Sequence, residues 1–306
     1  MPDVATPLAA ARPRGHLTVD YLLLGLLALL WGSSYGWLKG AGAERPPLTL
    51  IAARVAGAAI FLTLVMAWRR ERLPAPGRIW GMLLVQALCN SIISWTVLAW
   101  GQQYVDAGLA SVLNSTSILF VALITALFTR HEALVARKLA VVLIGLAGVV
   151  LIVGIEALGG LGHAVAGEAA CLTGAALYGA GAIYGRRFGS LSPVATATGT
   201  MLWATATLVP LALVIDRPWQ LDPSSAALVA TAALSILCTG LALLIYFRLV
   251  HTLGSMGVAS QSYLRAGVGV ALGMIFLGET ITPSVALGIA ATIAGVVLIN
   301  WPKRPA

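Results

Sequence analysis

Arg265 is the residue on which a chemical reading of this sequence turns. It lies in the middle of the apolar segment 256–277, at a depth where a cation costs roughly 2.5–3.5 kcal/mol on insertion scales. Helical spacing aligns it with Gln261, Gly269 and Gly273, so the guanidinium shares a face with an amide and two small residues. A guanidinium in that position offers a planar two-point fit to a substrate carboxylate. It also suits a structural role, holding backbone carbonyls or tyrosine hydroxyls of neighbouring helices, and both readings stay open at this level.

Other polar residues inside apolar segments fall into similar rows. Gln86, Asn90 and Ser94 recur at i+4 spacing with Trp95 beside them, Asn114 lies between Ser111 and Ser115, and Thr239 follows Ser235 on the way to Tyr246. Uncompensated amides are costly in hydrocarbon, so these faces look inward. They either bind a ligand or join helices by modest hydrogen bonds. Trp31, Tyr35, Trp95, Tyr178, Tyr246 and Tyr263 add aromatic surface suited to an apolar or aromatic side chain. Arg54, near the start of segment 47–67, reads as a side chain that snorkels to the interface.

Several chemistries find no support. The acidic residues, among them Asp106, Glu132, Glu168 and Glu279, and the four histidines fall in loops or near segment ends. A proton-coupled carrier generally needs a titratable group within the membrane. Cys89, Cys171 and Cys238 sit in apolar runs with no disulfide or metal spacing. No nucleotide-binding loop, metalloprotease motif or paired nucleophile and base is present, so neither an enzyme, a cofactor nor a bound metal is expected.

The elements that must position these residues follow from composition. The 306 residues are 59% hydrophobic and 10% charged, with a mean hydropathy of +0.93, against about 25% charged residues in a soluble domain. Breakers and charges divide the chain into ten apolar segments, at 19–40, 47–67, 79–100, 107–128, 135–154, 165–185, 193–215, 225–249, 256–277 and 282–301. The expected fold is an all-α polytopic membrane protein. The net charge of +8 sets topology rather than binding nucleic acid. With the N-terminus inside, the cytoplasmic segments hold Arg12, Arg14, Arg69, Arg70, Arg72, Arg78, Arg130, Arg137, Lys138, Arg186, Arg187, Arg248, Lys303 and Arg304, and the outer ones only Lys39, Arg45 and Arg217. Both termini are therefore expected in the cytoplasm.

The halves also repeat. AGVVLI at 147–152 recurs at 294–299, WGSSYGWLK at 31–39 has a counterpart in YGAGAIYGR at 178–186, and GLAS at 108–111 meets GVAS at 257–260. Five segments per half force the second to enter the membrane inverted. Inverted repeats with a central site are the architecture of secondary transporters. The expected division is a cytoplasmic tail at 1–18, a first five-helix repeat at 19–154, an extracytoplasmic linker at 155–164, a second repeat at 165–301 and a tail at 302–306. The paired aromatic motifs would then form an outer and an inner constriction at opposite mouths of one route, or an ordinary interfacial belt.

These residues resemble the drug/metabolite transporter superfamily, in particular its EamA-type ten-helix members. The likeness is carried by WGSSYGWLK, Arg54, GLASVLNSTSILFVALITALFTRHE at 108–132, GVASQSYLRAGVGVALGMIFLGETITP at 257–283 and the closing GVVLI. It implies a monomeric carrier of small metabolites in a bacterial inner membrane, most like the aromatic and neutral amino acid exporters. Two departures matter: STSIL at 115–119 lacks the family's usual proline, and YLRA at 263–266 replaces a pattern close to YLEP. A multidrug or cationic-compound exporter and a nucleotide-sugar or phosphate-ester carrier are alternatives within transport. A membrane enzyme or scaffold is the alternative outside it. The lack of a mid-membrane acid points to facilitative transport.

Overall fold

The structure, a computed structural model, describes residues 14–42, 46–105, 107–128, 136–277 and 282–300. Among them every regular element is helical. In chain order the helices are α1 (Arg14–Gly42), α2 (Pro47–Trp68), α3 (Arg78–Gly101), α4 (Ala107–Ser115 continued as Ser117–Phe128) and α5 (Ala136–Val153). The second half follows with α6 (Val165–Tyr184), α7 (Pro193–Ile215), α8 (Ser225–Thr252), α9 (Gly254–Ala259 continued as Gln261–Leu277) and α10 (Pro283–Asn300). Six stretches, α2, α3, Leu109–Leu127 of α4, α7, α8 and α10, are long and apolar enough to cross a bilayer. Thr18–Ser34 and Leu139–Val153 are shorter apolar helices. Leu22, Leu64, Leu127, Val214 and Leu287 point outward, where lipid rather than water is their natural neighbour.

α1 begins earlier than its apolar run, at Arg14 instead of 19. Hydropathy marks only the apolar part of a helix, whereas backbone hydrogen bonding continues into the polar turns that flank it. The expected cytoplasmic tail at 1–18 therefore ends in helix. Residues 1–13 and 302–306, like Asp106, Glu132 and Glu279, lie outside the described residues. The stretch expected as a linker, 155–164, is a 3₁₀ turn at Ile155–Gly160 leading into α6.

Packing follows a two-fold rule. α1 packs on α8 and α9, while α6 packs on α3 and α4. α2 lies against α7 and α5 against α10, and the pairs α2·α8 and α3·α7 exchange the same way. Each half also carries one π turn at the corresponding place, Leu88–Ile92 in α3 and Ile236–Leu241 in α8. Each repeated AGVVLI segment gives a glycine to the α5·α10 seam, Gly148 facing Gly288 and Gly295 facing Gly145, where the two backbones touch. A Cβ built on Gly148 would lie 2.8 Å from the Gly288 carbonyl oxygen, and one on Gly295 would lie 3.0 Å from the Gly145 Cα.

The α2·α7 pair is clasped at both ends. The Thr49 N–H and hydroxyl donate to the Asp216 carboxylate at 2.8 and 2.7 Å, placing an anion at the N-terminus of α2, where the helix dipole favours it. At the other end the Ser192 hydroxyl, which caps α7, donates to Glu71. A further acid, Asp20, is buried within α1 beside Arg248 of α8, with Oδ1 and Nε 3.7 Å apart.

The seam gives a direct stability test. Gly148→Ala forces a methyl against rigid backbone and is expected to destabilise the protein by about 1–3 kcal/mol. Thermal unfolding in detergent should show a lowered midpoint; an unchanged midpoint would mean that the seam yields.

Candidate functional site

A partly open cavity of about 90 Å³ lies among α1, α2, α3, α4, α6 and α9. Its walls are Trp31, Ser34, Ile51, Arg54, Ser94, Trp95, Leu98, Ala99, Gln102, Asn114, Tyr178 and Arg265. Both halves of the chain contribute. The volume is well below the ~300–1,000 Å³ of pockets that hold drug-sized ligands.

Arg54 does not snorkel. It is 8% exposed and turns into the protein, where its Nε donates to the Thr239 hydroxyl at 2.6 Å and an Nη to the Cys238 carbonyl at 3.3 Å. Its guanidinium lies 4.4 Å from the centroid of the Trp95 ring. Hydrogen bonds to a charged group contribute ~1.5–3 kcal/mol each and a desolvated cation–π contact up to ~2. Together they are enough to offset the roughly 2.5–3.5 kcal/mol cost of holding a cation within hydrocarbon.

The local backbone of α8 makes this possible. At the π turn the Ala242 N–H is directed to the Leu237 and Thr239 carbonyls, passing over that of Cys238. The Cys238 carbonyl therefore accepts from side chains, from Arg54 and from the Trp31 indole N–H at 3.0 Å. The Thr239 hydroxyl donates in turn to the Leu234 carbonyl at 2.8 Å.

Trp31 is the hinge between the two arginines. The Arg265 guanidinium sits 5.6 Å from its ring centroid. Tyr178 packs edge-on against it at 5.7 Å and Tyr246 packs tilted at 5.6 Å, with the two tyrosine rings 5.9 Å apart. Trp31 and Tyr178 open the two repeated aromatic motifs. These first rings of the two motifs touch. A two-fold repeat brings equivalent positions near its axis together, so the opening residues of both motifs meet between the halves.

The residues singled out from sequence divide into groups. Trp31, Ser94, Trp95, Asn114, Tyr178 and Arg265 line the cavity, although the Ser94 hydroxyl donates to the Gly174 carbonyl at 3.0 Å and so also ties α3 to α6. Thr239 and Tyr246 stand behind the wall, holding Arg54 and backing Trp31. Tyr263 points elsewhere: its hydroxyl donates to the Val142 carbonyl of α5 at 2.7 Å, and its ring fills the space that Gly145 leaves open. Helix α9 is turned so that Arg265 faces the cavity, and two residues earlier is another face.

Gln86, Asn90 and Gln261 are fully buried away from the cavity. Both side-chain atoms of Gln86 and Gln261, and Oδ1 of Asn90, have no hydrogen-bond partner among the described residues. Gln86 lies against Gly185 at the end of α6. Tyr35 belongs to α1, and its side chain lies outside the described residues.

Ser34, Leu98 and Gln102 join the walls without having been anticipated. Arg54 was misread because α2 is apolar on every side, leaving no periodic contrast to reveal its inward face. The usable signal was the small residues Ala58 and Ala59, one turn on and fully covered.

Comparison with known proteins decides the family. The EamA-like transporter family matches this chain twice, over residues 19–154 and 165–301. The chain belongs to that family. This EamA-like transporter is 27% identical to the uncharacterized transporter YvbV of Bacillus subtilis, covering 92% of each chain. It is 27% identical to the uncharacterized inner membrane transporter YedA of Escherichia coli K12, over 90% of this chain and 89% of that one. An uncharacterized transporter of Archaeoglobus fulgidus is 30% identical, over 91% and 96% of the two chains. A solved crystal structure superposes with a TM-score of 0.76 at 18% identity, covering 92% of this chain and 97% of that chain; at that identity the likeness concerns the fold alone. The protein is a multi-pass membrane transporter, not an enzyme by family.

Thr239→Val deletes one acceptor of the Arg54 guanidinium and is expected to cost about 1–3 kcal/mol, whereas Thr239→Ser keeps it. Thermal unfolding of both variants checks this. Equal destabilisation by the two would show that the hydroxyl is immaterial to Arg54.

Proposed function

We propose that this transporter carries small carboxylate-bearing metabolites, the class to which neutral and aromatic amino acids belong, by alternating access between two inverted five-helix repeats. The observation that carries the reading is a cavity between the halves into which two guanidiniums, Arg54 and Arg265, and the aromatic faces of Trp31, Trp95 and Tyr178 converge. Guanidinium recognises carboxylate by two parallel hydrogen bonds, and the aromatic walls take the apolar remainder.

Ten spans result when α1, α5, α6 and α9 are added to the six long apolar helices; the apolar stretches of α1 and α5, Thr18–Ser34 and Leu139–Val153, differ from those six in being shorter. The basic clusters support a cytoplasmic location for both termini, and the likeness to an inner membrane transporter of Escherichia coli supports a bacterial inner membrane. Two homologous halves in one chain make a monomer sufficient. The orphaned amides of Gln86, Asn90 and Gln261 lie on the side of the aromatic constriction nearer the basic loops, and water reaches them when the carrier opens there.

Among the described residues no aspartate, glutamate or histidine lines the cavity, which supports facilitative transport. It also disfavours a lipophilic-cation exporter, because a cationic ligand needs a carboxylate counter-ion.

Counterflow in proteoliposomes tests the proposal. Saturable exchange of labelled phenylalanine, methionine or a related carboxylate is expected without a pH gradient. Arg265→Gln should weaken apparent affinity about 10- to 100-fold, the equivalent of ~1.4–2.8 kcal/mol. Intact affinity with reduced expression would assign Arg265 to structure, and a rate that follows an imposed pH gradient at fixed substrate gradient would exclude the facilitative mechanism.

A further inference from the structure

Resting on that reading of the route and deepening it, we propose a second binding site beyond the cavity, formed by Gln86, Asn90 and Gln261 with the hydroxyls of Tyr178 and Tyr246. It takes the zwitterionic head of an amino acid by hydrogen bonds from neutral groups, and it is closed in this structure.

The helix faces that line the cavity continue into this layer. Along α3, Ser94, Leu98 and Gln102 line the cavity, and Asn90 and Gln86 extend the same i+4 row past it. On α9, Gln261 stands one turn before Arg265 on the same face. Opposite them α6 presents bare backbone, Gly181 against Asn90 and Gly185 against Gln86. The rings of Tyr178 and Tyr246, 5.9 Å apart, stand between the two regions. Tyr178 lines the cavity, and Val250, one turn beyond Tyr246, already lies against Gly185.

The layer is polar without being satisfied. Gln86, Asn90, Gln261 and Tyr246 are fully buried. Among the described residues, both amide atoms of Gln86 and Gln261, the Asn90 Oδ1 and the two tyrosine hydroxyls have no hydrogen-bond partner. Asn90 sits in the π turn of α3, where the Ile93 N–H reaches back to the Leu88 carbonyl, and such turns recur at functional sites. The corresponding turn of α8 holds Arg54 and Trp31 beside the cavity. Each half of the chain thus lends its π turn to one side of the aromatic cluster.

The unbonded groups define the ligand. Amide oxygens only accept, amide nitrogens only donate, and a hydroxyl does either. A carboxylate alone would leave the oxygens of Gln86, Asn90 and Gln261 unmet, and an ammonium alone would leave the nitrogens of Gln86 and Gln261 unmet. The head of an α-amino acid meets both sets. Its two charges offset each other, which lowers the cost of entering a layer of neutral side chains.

The full chain in proteoliposomes tests this by counterflow of three labelled compounds: phenylalanine, 3-phenylpropanoate, which lacks the ammonium, and 2-phenylethylamine, which lacks the carboxylate. The wild type is expected to exchange phenylalanine about tenfold faster than either of the others. Gln86→Met and Gln261→Met remove an amide at nearly constant volume. Each should unfold at a midpoint no lower than the wild type, yet exchange phenylalanine about ten times more slowly, as the loss of a hydrogen bond to a charged group predicts. Exchange of 3-phenylpropanoate should change less than about twofold. A lowered midpoint with an unchanged preference for phenylalanine would make the amides packing groups and overturn the proposal, as would full phenylalanine exchange by both variants. Gln86→Cys gives an independent reading: beyond any reaction of the native cysteines, its thiol should react with a water-soluble maleimide, and saturating phenylalanine should slow that reaction. An inert thiol, or one that phenylalanine leaves unprotected, would also overturn the proposal. Equal exchange of 3-phenylpropanoate and phenylalanine by the wild type would overturn the zwitterion assignment while the carrier reading stood. Exchange of none of the three would overturn both.

Discussion

A guanidinium placed inside an apolar helical bundle has to be hydrogen-bonded, covered by a π face or wetted, and Arg54 shows how one such demand organises its surroundings. Its acceptors are a threonine hydroxyl and a carbonyl on α8. That carbonyl is exposed to side chains only because α8 makes a π turn at Ile236–Leu241. The same carbonyl fixes the indole of Trp31, and Trp31 in turn fixes where Arg265 and Tyr178 stand. A single irregular turn of backbone thus couples α1, α2 and α8 and shapes one wall of the cavity.

The two-fold packing gives this arrangement its position. Self-paired contacts, α2 with α7 and α5 with α10, lie across the axis and are held in different ways. The α5·α10 seam relies on glycine and backbone proximity, which resists sliding because close-packed interfaces have few alternative registers. The α2·α7 pair relies on hydroxyl–carboxylate clasps at its two ends, polar links at the membrane borders where water competes for the same groups. Between these pairs, α1, α3, α6 and α8, joined by Arg54 of α2, Asn114 of α4 and Gln261 and Arg265 of α9, carry polar and aromatic residues of the interior. The chemistry therefore sits on helices whose neighbours belong to both halves.

The polar interior is uneven. On one side of the Trp31–Tyr178–Tyr246 cluster the polar groups face a cavity; on the other, Gln86 and Gln261 are enclosed without partners. A buried amide left unpaired costs about 1–3 kcal/mol, so a protein built only for stability would replace it with a hydrocarbon side chain. The alternation proposed above accounts for their retention, because each layer would be wet in one state and closed in the other.

Sequence alone determined the class of molecule. Mean hydropathy, the spacing of apolar runs and the alternation of Lys and Arg depend on the solvent the chain must face, and a bilayer imposes those demands on every residue locally. The repeat was also legible, since Trp31 and Tyr178, or Gly148 and Gly295, keep their identity along the chain. What the sequence left open was azimuth. Helices such as α2 are apolar all round, so nothing in their periodicity shows that Arg54 points inward to Thr239, or that Tyr263 turns to α5 while Arg265, two residues on, turns to the cavity. Those directions come from how helices distant in sequence are rotated against one another. Likewise, only the assembled two-fold axis brings Trp31 against Tyr178, because contact near an axis is a property of the folded pair and of neither segment by itself.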